Sequence, residues 1–221
     1  MPAALDRHGG AMARGATARF NPPGTHPSAM TFFDRAYEGV PPWDTGEPQP
    51  AIVALEEAGE IEGSVLDAGC GTGENALFLA SRGHEVLGVD AVPRAVEIAE
   101  AKARERGVPA AFLVHDALDL ASLGRRFDTA IDAGLFHALS DEDRPVYVRG
   151  LAAVLRPGGR YFMIAFSDLE PPGYGPRRVT QAEIRAAFAD GWRIDWIRPA
   201  AFDSRIRPEG PRAWLSSIVR I

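Results

Sequence analysis

Between residues 64 and 166, short apolar runs alternate with stretches of helical periodicity, and this alternation constrains the fold more than any other feature. The strand-length runs are 64–68, 85–89, 111–115, 127–132 and 160–166; helical patterns occupy 74–82, 93–106 and 142–155. Such an order predicts βαβ units, hence a parallel sheet with right-handed crossovers. Gly83 and Gly107 stand just past two helix ends, where a left-handed residue is wanted, and Pro93 stands near a helix start. Pro157-Gly158-Gly159 is expected to stop the 142–155 helix and turn the chain into the next strand.

The flanks read differently. Residues 1–27 carry Gly, Ala, Pro and Arg without apolar periodicity and read as a disordered tail. Helical stretches at 28–38 and 48–58 are separated by Gly39-Val40-Pro41-Pro42 and Trp43-Asp44-Thr45-Gly46, which predicts a helical cap over 28–60. One domain, 28–221, is expected. Thr180 and Glu183 form a capping-box pattern at the head of a helix over 180–189. Two aromatic-rich strand candidates, 192–197 and 213–221, have only a Pro- and Gly-containing link between them, so an antiparallel hairpin should end the sheet.

Composition removes several function classes. A net charge of −6 without a basic stripe argues against a nucleic-acid partner. No run approaches the roughly 20 apolar residues that span a bilayer, and no apolar secretory core opens the chain. The single cysteine, Cys70, leaves no internal disulfide, and the scattered histidines form no ligand pair, so no metal site is expected. A cytoplasmic location is the expectation, as is a monomer or homodimer.

The chemistry concentrates in Val65-Leu66-Asp67-Ala68-Gly69-Cys70-Gly71-Thr72-Gly73-Glu74-Asn75-Ala76. A hydrophobic strand runs into three glycines and a helix opens at once. Glycine permits a tight turn and a close approach of ligand to backbone. A carboxylate two positions before the first glycine suits a cationic or hydroxylated ligand better than a pyrophosphate. Asp90 ends the next strand, the place of an acid that binds ribose hydroxyls in nucleoside-binding sheets. Asp116 closes the third strand, within reach of an adenine amino group. The structural alternatives are that Asp67 and Asp90 cap a strand end and a helix, and that Asp116 is a surface turn acid.

Residues 65–73, Gly88-Val89-Asp90, Asp116-Ala117 and Leu155-Arg156-Pro157-Gly158-Gly159 together resemble the class I S-adenosylmethionine-dependent methyltransferases. The resemblance implies a doubly wound, mostly parallel seven-stranded α/β sheet of order 3-2-1-4-5-7-6, Rossmann-like, with the last strand antiparallel. It implies S-adenosylmethionine as cofactor, becoming S-adenosylhomocysteine. Gly69, Cys70, Gly71, Thr72 and Gly73 would hold its methionine part and Asp67 would lie near the amino group. Asp90 would bind the ribose hydroxyls, Ala91 beside it would also lie at the cofactor, and Asp116 and Ala117 would frame the adenine. The segment Phe32-Phe33-Asp34-Arg35-Ala36-Tyr37, followed by 41–50, resembles the thiopurine methyltransferase-like branch, which places Trp43 against the cofactor.

On the acceptor side, Asp132 and His137 follow the fourth strand and are the candidate catalytic pair, with Asp132 also a candidate at the cofactor. Packing of His137 against the next helix, and binding of a backbone donor by Asp132, are the alternatives. Phe33, Phe136, His137 and Tyr174 are the candidate acceptor pocket, and 167–178 a candidate lid. Phe166 and Trp196 read as core, with aromatic walls of the pocket as the alternative. Arg177 and Arg178 read as solvated charge, with contact to an anionic acceptor as the alternative, and Cys70 as a small space-filler. The expected reaction is methyl transfer to O, S or N of a small molecule, leaning to a heterocyclic or phenolic hydroxyl, with thiol or halide methylation as the alternative. From other classes come a nicotinamide-dependent oxidoreductase, disfavoured because the spacing is G-x-G-x-G, and a non-catalytic cofactor-binding protein.

Overall fold

The computed structural model describes residues 27–206 and 209–221. The tail expectation for 1–27 lies, but for Pro27, outside them. Strands β1 (Val65–Ala68), β2 (Val86–Asp90), β3 (Ala111–Val114), β4 (Phe127–Ala133), β5 (Leu155–Phe166), β6 (Trp192–Ala201) and β7 (Arg212–Arg220) form one sheet. Its order is β3-β2-β1-β4-β5-β7-β6, the Rossmann-like order expected. β1 to β5 pair in parallel, whereas β7 lies antiparallel between β5 and β6.

Helices α1 (Pro27–Ala36) and α2 (Pro50–Glu57) precede the sheet. Helices α3 (Glu74–Ser81), α4 (Pro93–Arg106), α5 (Asp143–Val154) and α6 (Gln181–Ala187) follow their strands. β1 shows why the sheet must be covered on both faces: all four of its residues are buried. Leu66 and Ala68 join Tyr161, Met163, Tyr147, Leu151 and Ile184 in one core cluster. Val65 joins Ile131, Phe162, Ile52 and Leu79 in another. At α6 the capping box is complete: the Thr180 hydroxyl accepts the Glu183 N–H, and the Glu183 carboxylate accepts the Thr180 N–H. Such a cap is worth about 1 kcal/mol.

One boundary differs from expectation. Pro157-Gly158-Gly159 does not lie between a helix and a strand. It sits inside β5, where Phe127 pairs with Leu155 but Thr129 already pairs with Arg160. The extra residues bulge out of the β4–β5 ladder, and the strand runs straight on from α5.

Candidate active site

Parallel strands place their carboxyl ends on one edge, and the loops leaving β1, β2, β3 and β4 converge there. Above them is a cavity of about 270 Å³. The glycine loop forms its floor from Gly69 to Asn75. Gly73 has φ +87°, and a Cβ there would lie 2.8 Å from the Phe112 ring, so both the turn and the close packing on β3 require glycine. Ala91 and Val92 line the next side together with Asp90, and His115, Asp116 and Ala117 the third. The cap contributes Phe33, Tyr37, Trp43, Asp44 and Glu47. Thus Trp43, Gly69, Cys70, Gly71, Thr72, Gly73, Asp90, Ala91, Asp116 and Ala117 all face one space, as do Phe33 and His137.

Asp90 organises two turns at once. Its carboxylate accepts the Gly71 N–H and the Val92 N–H, each at 2.9 Å. This couples the glycine loop to the start of α4. Asp116 accepts the Leu118 N–H at 2.9 Å, which caps the turn, and it also lines the cavity. Trp43 donates to the Tyr37 hydroxyl at 3.1 Å and packs edge-on to Phe33 and Tyr37.

Asp67 lies beneath the loop and does not line the cavity. It is 1% exposed, and its Oδ2 has no hydrogen-bond partner among the described residues. Burial, with the charges of Asp132 and Asp90, pushes its pKa up to about 8. The native state therefore holds a proton that the unfolded chain has lost between the ordinary carboxylate value and about 8. Asp67 thus costs stability as pH rises through that window. His137 acts in the opposite sense: its folded pKa is depressed to about 3, so it costs stability only as pH falls below about 6.5. From pH 6.5 to 8, melting of the protein alone should shift down, with a slope of at most about 1.4 kcal/mol per pH unit. Asp67→Asn should flatten this slope; a slope unchanged in that variant would place its origin elsewhere.

Three sequence expectations are corrected. Asp132 does not reach the cavity: it is 0% exposed and saturated. One oxygen accepts the N–H groups of Gly134 and Leu135, the other those of Phe136 and the hydroxyls of Tyr147 and Tyr161. It folds the β4 turn and has no lone pair directed to a substrate. Phe136 is likewise fully buried, packed on Phe188 beneath the Arg144 guanidinium. Tyr174 binds Glu170 through its hydroxyl, and its neighbours Gly175 and Pro176 line the cavity in its place.

His137 lines the cavity as expected, but as a donor. Its Nδ1 accepts the Phe166 N–H at 3.0 Å, so the neutral ring carries its proton on Nε2. Burial, then the charges of Arg144 and Arg178, hold the ring neutral. Gly134, at φ +110°, leaves open the space beside Nε2; a Cβ there would lie 3.5 Å from it.

Phe166 and one missed residue, Phe202, form the rest of this corner. Phe166, read as core, lines the cavity and packs 4.9 Å from the His137 ring. Phe202 completes the set at 5.6 Å from His137 and 5.2 Å from Phe166. Nothing in the local pattern marks Phe202, because the β6–β7 link reaches the site only through the strand order. Arg178 is not solvated: it donates to the carbonyls of Glu170, Pro171, Tyr174 and Pro176, and its guanidinium stacks on Phe166 and Tyr174. Arg177 pairs with Asp141 and Glu183.

Residues 65–159 match the family of methyltransferase domains. A 2-heptyl-1-hydroxyquinolin-4(1H)-one methyltransferase of Mycobacteroides abscessus is 40% identical over 179 residues, covering 76% of this chain and 79% of that one. The Arabidopsis thaliana protein named probable thiol methyltransferase 2 is 32% identical over 68% of each chain. A solved structure described by the conversion of a disulfide bond into a thioacetal group during echinomycin biosynthesis is 39% identical. It superposes with a TM-score of 0.79 over 86% of this chain and 92% of that one. The fold and the glycine-loop cavity are those of a nucleoside-cofactor transferase, and the chain belongs to the class I S-adenosylmethionine-dependent methyltransferases. It is an enzyme of small-molecule methylation, and the nicotinamide alternative lapses. Among the described residues, no helix is long and apolar enough to cross a membrane.

Proposed function

We propose that this enzyme methylates a small planar heterocycle or phenol at an acidic hydroxyl or thiol that reaches the site already ionised. The observation that carries the reading is the corner of His137, Phe166, Phe202 and Gly134. It offers aromatic walls and a fixed N–H donor, and none of these four residues is poised to take a proton. Arg144 and Arg178, the two cations that depress His137, bias the same corner toward an anion. The names of the relatives, a hydroxyquinolone methyltransferase and a thiol methyltransferase, support acceptors of this kind.

The residues present fit the cofactor. Its sulfonium and ammonium groups are cations, and the loop is underlain by two buried carboxylates, Asp67 and Asp90, whose recorded hydrogen bonds come from backbone N–H groups. The Oδ2 of Asp67 is a buried polar atom left without a hydrogen-bond partner beneath the loop among the described residues. Asp90 would hold the ribose hydroxyls, Asp116 and Ala117 the adenine, the 69–73 loop the methionine part, and Trp43 would cover it. When bound, S-adenosylmethionine supplies an electrophilic methyl group that needs little activation. The chain's work is then orientation and exclusion of water. The aromatic corner aligns the acceptor ring, and the Nε2–H of His137 steadies the nucleophilic atom.

The test is the pH dependence of kcat/KM for several phenols and thiols of differing acidity. The rising limb should follow each acceptor's own pKa. His137→Phe should lower kcat/KM about tenfold, the worth of one hydrogen bond to a charged group, without moving the limb. A limb fixed near pH 6.5 for every acceptor, lost in His137→Phe, would instead make His137 the base.

A further inference from the structure

The cap segment 42–49 lies outside the helices and strands and forms a wall of the cavity from Pro42 to Gln49. Two sets of bonds hold it. On the acceptor side, Gln49 and Asp203 exchange hydrogen bonds at 3.1 and 2.9 Å, and Arg205 donates to the carbonyls of Pro42 and Asp44. On the cofactor side, the Gln49 N–H donates to the Asn75 side chain at 2.8 Å. Also on that side, the Thr72 hydroxyl donates to Asp44 Oδ2 at 3.0 Å.

Thr72 is the middle of a longer chain. Its hydroxyl accepts from Lys102 Nζ at 2.7 Å, and the same ammonium lies 3.9 Å from Asp44 Oδ1. Lys102 belongs to α4 and does not line the cavity. It also meets Glu74 at 2.8 Å, and Glu74 is gripped separately by both terminal nitrogens of Arg106. The Lys102 and Asp44 side chains are 20% and 15% exposed, so water screens their attraction only in part. A hydroxyl can donate to only one acceptor. By occupying a lone pair of the Thr72 oxygen, Lys102 turns the Thr72 proton toward Asp44 and adds a charge attraction behind it.

We propose that Lys102 is a positioning residue for methyl transfer: through Thr72 it fastens the 42–49 segment onto the glycine loop and so sets the closed form of the cavity. Because the segment is bonded to Asp203 and Arg205 at its other side, the fastening reaches the acceptor side as well. The bland alternative is that Lys102 merely ties α4 to α3 through Glu74. That link survives without it, since Arg106 holds Glu74 in a two-pronged pair. Lys102→Met keeps the apolar stem and removes only the ammonium, which separates the two roles.

The proposal rests on the cavity being the cofactor and acceptor site, and hydrogen exchange on the protein alone tests it without that premise. In Lys102→Met, amides over 42–49 should exchange about tenfold faster, the equivalent of one charge-assisted hydrogen bond, while β1, β4 and α3 keep their protection. S-adenosylhomocysteine affinity should fall by a similar factor and acceptor KM should rise, with kcat changing less than twofold to threefold. Lys102→Arg should restore the protection. Unchanged exchange over 42–49 in Lys102→Met would overturn the proposal. So would a rise spread evenly over α3, α4 and the sheet, since Lys102 would then support the whole fold. If wild type failed to bind S-adenosylhomocysteine, the cofactor reading would fall while the exchange result still decided the role of Lys102.

Discussion

Asp90→Ala is expected to weaken S-adenosylhomocysteine binding by about a hundredfold or more, with the protein still folded. Two losses combine. The carboxylate oxygens that would accept ribose hydroxyls go, at about 1.5–3 kcal/mol for each hydrogen bond to a charged group. The Gly71 and Val92 N–H groups lose their common acceptor, so the glycine loop and the start of α4 are no longer braced together. Even one bond of each kind amounts to about 3 kcal/mol, or two decades in affinity. Asp90 carries a desolvation burden that raises its pKa, so removing it returns part of the folding cost. Calorimetric titration reads the binding loss and thermal melting the fold. Affinity kept within threefold would mean that the ribose is held by other groups.

The second large effect is on stability. Asp132→Ala should lower the melting temperature by about 10 °C, corresponding to about 3 kcal/mol or more in a domain of this size. Its carboxylate collects three backbone N–H groups and two tyrosine hydroxyls in a site without solvent. Tyr147 and Tyr161 can turn to each other, but the three N–H groups of the 134–136 turn have no replacement acceptor. Burial raises the Asp132 pKa to about 6. Its ionisation therefore costs stability as pH rises from about 4 to about 6, and that step should vanish in the variant. Activity should fall too, because the turn carries Gly134 and His137. A variant that melted like wild type would show the turn to be held by other contacts.

The sheet was legible because its cues are local and agree with one another. Buried strands, glycines past helix ends and the Thr180–Glu183 box each depend on a few neighbouring residues, and all point to one architecture. The antiparallel hairpin of β6 and β7 followed from the lack of any helix between two aromatic runs. The misplaced boundary at Pro157 has a definite cause. Proline and glycine signal a break in regular structure, but a bulge and a turn break it equally well, and pairing with Phe127 on β4 makes it a bulge.

The glycine-loop side of the cavity was legible for the same reason: Gly69 follows β1 directly, Asp90 ends β2 and Asp116 lies just past β3, so the sheet order brings them to one edge. The acceptor half was not. Asp132 and His137 lie five residues apart at the right strand end, yet one faces inward under two tyrosines and the other faces the cavity. That choice depends on Tyr147 and Tyr161, which come from α5 and β5. Phe136 beside His137 points to the α6 side of the core, against Phe188. Phe166 and Phe202 look like core in sequence because they are apolar and strand-terminal. Only the insertion of β7 between β5 and β6 brings them together over His137.

The central claim is that the cavity above the glycine loop is an S-adenosylmethionine site. The most direct measurement is calorimetric titration of the purified full chain with S-adenosylhomocysteine near pH 7. The account predicts one-to-one micromolar binding. A folded protein that took up no S-adenosylhomocysteine would contradict the claim.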